Sequence, residues 1–201
     1  SDRQGDTNQL SLAVTTNHFD GQNGRVLWSL SLGQIFYFKD RRVQLTPERP
    51  AADEEVSPFL AEFTWHLWTR LSAVAGLQWD WQNSNVDVGT VGFDYRGSQG
   101  ERARFEYRFR RDRVDQFDLR VFWPINERWR VLSRLNYSFA DDDLLELQGG
   151  LEYESCCWAL RTVVRRYLRN REGDYRNGVY FELNLKGLTS VGTQSQKLFY
   201  D

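Results

Sequence analysis

Hydrophobic and polar side chains alternate with a period of two along most of this chain, the signature of strands with one apolar and one polar face. Leu10, Leu12 and Val14 alternate with Gln9, Ser11 and Ala13, and beyond Asp20 to Gly24 the apolar set resumes at Val26, Trp28, Leu30 and Leu32. Lys39 to Glu55 carries Pro47, Pro50 and no periodicity, so it reads as a long exposed loop. Phe59, Ala61, Phe63, Trp65 and Leu67 then alternate with Leu60, Glu62, Thr64 and His66, and a turn at Trp68 to Arg70 leads into Leu71, Ala73, Ala75, Leu77 and Trp79. From Val86 and Val88 to Val91, Phe93 and Tyr95 the parity changes near Gly89 to Gly92, as a bulge would make it.

The clearest alternation runs from Arg102 to Arg110, with Ala103, Phe105, Tyr107 and Phe109 on one face and Arg102, Arg104, Glu106, Arg108 and Arg110 on the other. Its partner sets Phe117, Leu119, Val121 and Trp123 against Asp118, Arg120 and Phe122. A turn at Trp123 to Trp129 returns the chain into Val131, Leu135, Tyr137 and Phe139, with Arg130, Arg134 and Asn136 facing away. Leu145, Leu147, Leu151 and Tyr153 lead to Cys156 and Cys157, after which Trp158, Leu160, Thr162 and Val164 resume the pattern. Val179, Phe181, Leu183 and Leu185 mark the last strand, and Thr189 to Asp201 is a tail. The count is about eleven strands of roughly nine or more residues, long enough to cross a bilayer at a tilt.

A soluble sandwich also alternates, so the nature of each face decides. Trp79, Tyr95, Trp123, Trp129, Phe139, Tyr153 and Trp158 gather at strand ends on the apolar face, where lipid meets water in a membrane barrel. Arginines and acids share the other face, as in a wet lumen; turned to lipid, each arginine would cost about 2–4 kcal/mol at the midplane. The pattern therefore predicts an all-β, antiparallel transmembrane barrel segment over residues 1–188, part of a larger outer-membrane barrel, with residues 189–201 as its tail. The arginines Arg102, Arg104, Arg108, Arg110, Arg120, Arg130 and Arg134 are assigned to the lumen.

Composition refines this picture in three places. A net charge of -2 argues against a nucleic-acid partner. No apolar run is long enough for a transmembrane helix, and a mean hydropathy below zero is compatible with a barrel, which shows lipid only every second residue. The chain has no methionine, which reads as a piece of something longer.

Candidate chemistry is sparse. Adjacent cysteines are poorly placed to bond each other, so Cys156 and Cys157 are either two small hydrophobes in a turn or half-cystines whose partners lie elsewhere. His18 and His66 are the only histidines. His66 shares a face with Glu62 and Thr64, a grouping that an ordinary polar strand face produces without any catalytic purpose. Neither histidine has the paired ligand spacing of a zinc site, and no Gly-rich phosphate loop is present. No enzyme, metal or cofactor is expected.

Four segments in order, Gly33 to Phe38, Trp123 to Trp129, Glu154 to Arg161 and Leu185 to Gly192, resemble the C-terminal half of the lipopolysaccharide-assembly outer-membrane (LptD) family. The resemblance implies a Gram-negative outer-membrane translocon of about 26 strands that inserts lipopolysaccharide into the outer leaflet. It implies a lipoprotein partner, LptE, in the lumen, and a periplasmic LptA bridge reached through an N-terminal domain outside this chain. It implies disulfides from Cys156 and Cys157 to the N-terminal region, in keeping with an oxidising compartment. Arg176, Gly178, Phe181 and Leu183 resemble the signal that the BamA assembly barrel reads. Eleven strands, an odd number, would leave edges that need another chain. A passive porin is the competing reading, and a barrel hydrolase the third.

Overall fold

The computed structural model describes residues 8–38, 56–170, 173–187 and 189–192. It is all-β among these residues: β1 (Gln9–Phe19), β2 (Val26–Tyr37), β3 (Phe59–Trp68), β4 (Leu71–Asp80), β5 (Asn85–Arg96), β6 (Arg102–Arg110), β7 (Val114–Pro124), β8 (Trp129–Ser138), β9 (Asp143–Glu154), β10 (Trp158–Leu168), β11 (Tyr175–Leu185) and β12 (Thr189–Gly192). The strands follow one another in chain order, each hydrogen-bonded to the next. Such a meander is what tight turns between antiparallel strands dictate. The first eleven are the long strands that the alternation predicts. The twelfth, four residues within the expected tail, makes the count among the described residues even, so an odd number no longer argues for open edges. The predicted loop from Lys39 to Glu55 lies outside the described residues, as do residues 193–201 of the tail.

The chain forms two compact units, Ser1–Trp65 with Val74–Gly89, and His66–Ala73 with Thr90–Asp201. In the first, β1 pairs with β2 and β2 with β3, the former register shifting at His18 and Phe19. His18 stacks on Trp28 across that ladder, ring centroids 5.6 Å apart. The parity change expected near Gly89 to Gly92 falls within β5, which is continuous from Asn85 to Arg96.

The second unit contains the ladders from β6 to β12. Its burial runs opposite to that of a water-soluble sheet. Asp118, Glu146, Gln148, Glu152, Arg161 and Glu182 are each 8% exposed or less, whereas Val164, Val179 and Phe181 are 55–60% exposed. Exposed leucines alone would be unremarkable, but a contiguous apolar face backed by buried charge marks a surface made for a nonpolar medium. Strands of about ten residues, rising about 3.3 Å each and tilted by about 40°, climb roughly 25 Å, the height of a barrel's apolar band.

Aromatic rings border that face at both ends. At one end Tyr95 stacks on Trp123 with centroids 6.3 Å apart, and Trp129, Tyr153 and Trp158 form a run with spacings of 4.9 and 5.3 Å. At the other, Phe139 contacts Tyr107, Phe117 and Tyr137. The first group sits beside the cysteine turn. All of the rings predicted for a girdle within this unit belong to one of these two groups.

One notch fixes the register between β9 and β10. Gly150 lies opposite Val163, whose side chain is fully buried. A Cβ on Gly150 would come within 2.9 Å of the Thr162 carbonyl and 3.1 Å of the Val163 Cγ2, so the absent side chain is what admits the valine.

Candidate functional site

The polar face of the second unit carries two groups of linked ion pairs. Period-two alternation sends one side chain in two to this face, and the ladder registers bring opposite charges level. Arg130 lies opposite Glu152, Glu152 opposite Arg161, and Arg161 opposite Glu182, one row across four strands. Arg130 donates to Glu152 at 2.9 Å, Arg161 Nε donates to Glu152 at 2.7 Å, and Arg161 reaches Glu182 at 3.4 Å. Arg130 also pairs with Glu154, which accepts from Lys186 at 2.5 Å. A second group links Arg120 to Asp118 at 2.7 Å, Asp118 to Arg134 at 2.8 Å, Arg134 to Glu146 at 3.0 Å, and Glu146 to Arg165. Gln148 donates to Glu146 at 2.6 Å. Each buried carboxylate in the groups thus meets at least one guanidinium, the condition under which charge removed from water is tolerated.

Of the arginines predicted for the lumen, Arg120, Arg130 and Arg134 belong to these groups. The four on β6 differ. Arg104 and Arg108 stand 61% and 44% exposed, each 3.5 Å from Glu106, and Arg102 and Arg110 share their face and their exposure. Sequence reasoning missed Arg161, Arg165, Glu146 and Glu182 as members of the network. Their signal was the same alternation, but their partners depend on register.

Ser155 to Cys157 connect β9 to β10, and the Ser155 amide donates to the Trp158 carbonyl at 2.8 Å. Both thiols are free and exposed, with sulfurs 2.8 Å apart. A hydrogen bond from Cys157, a second from Ser155 and the charge of Lys186 hold the Cys156 thiol below its ordinary pKa. Cys157 is displaced upward, first by its hydrogen bond to Cys156 and then by the charge there. The two thiols share one hydrogen bond, so a thiolate on either is stabilised by the other.

The turn is held from the side by Lys186, which follows β11. Its amide donates to the Cys157 carbonyl at 2.9 Å, and its ammonium donates to the Ser155 carbonyl at 2.8 Å. Gly187, at φ 86°, turns the chain back toward β12. The other turns of this unit at the same end join β3 to β4, β5 to β6 and β7 to β8.

On β11, Arg176, Gly178 and Glu182 share the polar face while Phe181 and Leu183 point the other way. Tyr180 folds over Gly178, where a Cβ would meet its Oη at 2.9 Å and its ring at 3.0 Å. Pairing with β12 covers Glu182 to Leu185 of β11. Among the described residues no group of histidine, cysteine and carboxylate is arranged for a metal ion.

Residues 1–129 match the family model described as LptD, LPS transport system D. The LPS-assembly protein LptD of Nitrosococcus oceani is 40% identical over 198 residues, covering 98% of this chain and 27% of its own length. The proteins of the same description from Xylella fastidiosa and Xanthomonas campestris pv. campestris are 37% and 35% identical, over 98% of this chain and 26% of theirs. The chain thus spans about a quarter of the length of these curated relatives.

Proposed function

This chain belongs to the LptD family, and we propose that it is the C-terminal part of an outer-membrane barrel that delivers lipopolysaccharide to the outer leaflet of a Gram-negative cell. The observation that carries the reading is the inverted burial of the second unit, with apolar side chains presented outward and ion-paired charges on the opposite face. On this reading the apolar face meets lipid and the charged face lines the lumen, where the family's lipoprotein partner, LptE, sits. The upstream region of the whole protein supplies the link to the periplasmic LptA bridge. Cys156 and Cys157 form disulfides with that region, so their turn is periplasmic. The Arg176, Gly178, Phe181 and Leu183 strand is the part read by the BamA assembly barrel. The protein works by transport, with no chemical step.

A porin would share the barrel, the aromatic bands and the charged lumen, but it has no use for two exposed thiols in a turn. The test is the full-length protein with its lipoprotein partner in liposomes. Lipopolysaccharide delivery without a steady single-channel conductance supports the translocon. Steady conductance without delivery identifies a porin.

A further inference from the structure

The charge balance of the polar face changes from one side of the second unit to the other. Across β8 to β11 carboxylates meet guanidiniums in the ladder row that joins Arg130, Glu152, Arg161 and Glu182. Across β6 to β8 another row sets like against like: Arg104 lies directly opposite Arg120, and Arg120 directly opposite Arg134. Like charges in facing positions destabilise a sheet. Asp118 relieves part of the row, binding Arg120 through Nε at 2.7 Å and Arg134 at 2.8 Å. Among the described residues Arg104 has Glu106 alone, at 3.5 Å, and shares it with Arg108 at the same distance. In the next row Glu106 faces Asp118, which leaves these acids to one side. Arg104 and Arg120 border a cleft of about 290 Å³ whose wall also includes Arg96, Arg102, Asp94 and Phe122. Asp94 is engaged by Arg96 at 2.7 Å. The cleft thus presents four guanidiniums against one carboxylate, a focus of positive potential.

We propose that this cleft is a phosphate site, in which Arg102, Arg104 and Arg120 hold a phosphate ester on the saccharide of the transported lipopolysaccharide. The proposal deepens the function given above and rests on the polar face lining the lumen. Facing residues in neighbouring strands stand about 5 Å apart, so the forks of Arg104 and Arg120 can close on one tetrahedral group from two strands. Arginine suits this task because its planar guanidinium donates two parallel bonds to a phosphate. Among the described residues Asp118 takes only the Nε of Arg120, which leaves the two terminal nitrogens for a second acceptor. A phosphate monoester carries about two negative charges near neutral pH and turns the repulsion between the facing arginines into a shared attraction. The volume of the cleft lies near the lower end of ligand sites, about 300–1,000 Å³, room for a sugar phosphate and too little for an acylated lipid. The site therefore reads the charged sugar and is indifferent to the acyl chains.

The experiment uses the full-length protein with its lipoprotein partner, purified in detergent. The probe is the saccharide of lipopolysaccharide freed of its acyl chains, offered with its phosphates and after phosphatase treatment, and binding is read by calorimetry. The phosphorylated saccharide is expected to bind, and the dephosphorylated one at least about tenfold more weakly, as the loss of charge-assisted bonds implies. Arg104→Gln should weaken the phosphorylated probe by a similar factor, Arg104→Lys by less, and Arg113→Gln, in the turn after β6, should have no effect. Inorganic phosphate should compete only in large excess; competition at equal concentration would make this a free-anion site and overturn the saccharide. Equal binding of the two saccharides overturns the proposal, as does an Arg104→Gln variant that keeps the heat-modifiable barrel band and binds like the unsubstituted protein. Should that variant not fold, Arg102→Gln takes its place, and the comparison of the two saccharides on the unsubstituted protein remains decisive. Absence of binding also overturns the proposal, and a photocrosslink to the lipoprotein from p-benzoylphenylalanine in place of Phe122 would then identify the occupant. Binding requires no transport. A barrel that binds the phosphorylated saccharide but conducts steadily and delivers nothing keeps the site and loses the translocon, whereas delivery without phosphate-dependent binding does the reverse.

Discussion

Arg161 and Glu152 face each other across the β9 to β10 ladder, joined by a bond of 2.7 Å from the guanidinium Nε, and both are more deeply buried than Leu160 and Leu151, the residues that precede them. Removing the arginine takes one guanidinium from Glu182 and one from Glu152, which keeps its pair with Arg130. Breaking a buried pair from one side costs about 3–5 kcal/mol. Arg161→Ala should therefore lower the urea midpoint of the full-length barrel clearly. Arg104→Ala on β6, which loses only an exposed contact, should cost about 1 kcal/mol or less.

The exposed row through Val164 is the counterpart. Its neighbours across the ladders are Gly149 and Val179, all on the apolar face near mid-strand. Val164→Arg should cost about 2–4 kcal/mol if that face meets lipid, seen as loss of the heat-modifiable folded band. If the face met water instead, the charge would be harmless and the band would persist.

Turn positions test orientation. With the cysteine turn in the periplasm, the connection at Asn126 to Arg128 lies on the same side and the one at Arg111 to Arg113 on the cell surface. With the two cysteines of the turn retained, an added Arg113→Cys should react with an impermeant maleimide on intact cells above the background of the unsubstituted protein, and an added Glu127→Cys should not. The reverse labelling pattern would invert the topology. The segment around Ala52, expected on the surface from the sequence, lies outside the described residues.

Both thiols are exposed in one turn, 2.8 Å apart, so either can reach a partner that the other reaches. Replacing Cys156 or Cys157 singly by serine should leave a disulfide-linked species on non-reducing gels. Replacing both should abolish it and with it productive assembly; an unchanged mobility for the double variant would remove the disulfide role.

Gly178 has a structural reason on β11, because the Tyr180 ring occupies the space a side chain would need. Gly178→Ala must push that ring aside. The expected result is slower appearance of folded protein in a pulse-chase, partly restored by Tyr180→Ala, which vacates the space. No restoration would mean the glycine matters for another reason.

The strands and their faces were legible in the sequence because a period of two needs no knowledge of neighbours. Arg130 and Arg134 could be assigned to the polar face from Val131 and Leu135 beside them. What pairs with each arginine was not legible, since register is set across strands by features such as the Gly150 notch. The Lys186 contacts escaped for the same reason, joining residues that only the closed hairpins bring together. The twelfth strand escaped because Thr189 to Gly192 is short, polar and ends in glycine, and carries no alternation to see.

The Gly150 notch has a consequence at the far end of its hairpin. Residues opposite each other in that ladder, such as Glu154 and Ala159 or Gly150 and Val163, are all centred midway between Cys156 and Cys157. The dyad of the hairpin passes between the two sulfurs. A slip of two residues would drive Val163 against Gln148 or Glu152 and shift that centre by one position, drawing the turn away from one cysteine and toward Ser155 or Trp158. The missing methyl group of a glycine in mid-strand thus determines that two thiols, rather than one, stand at the tip of the loop.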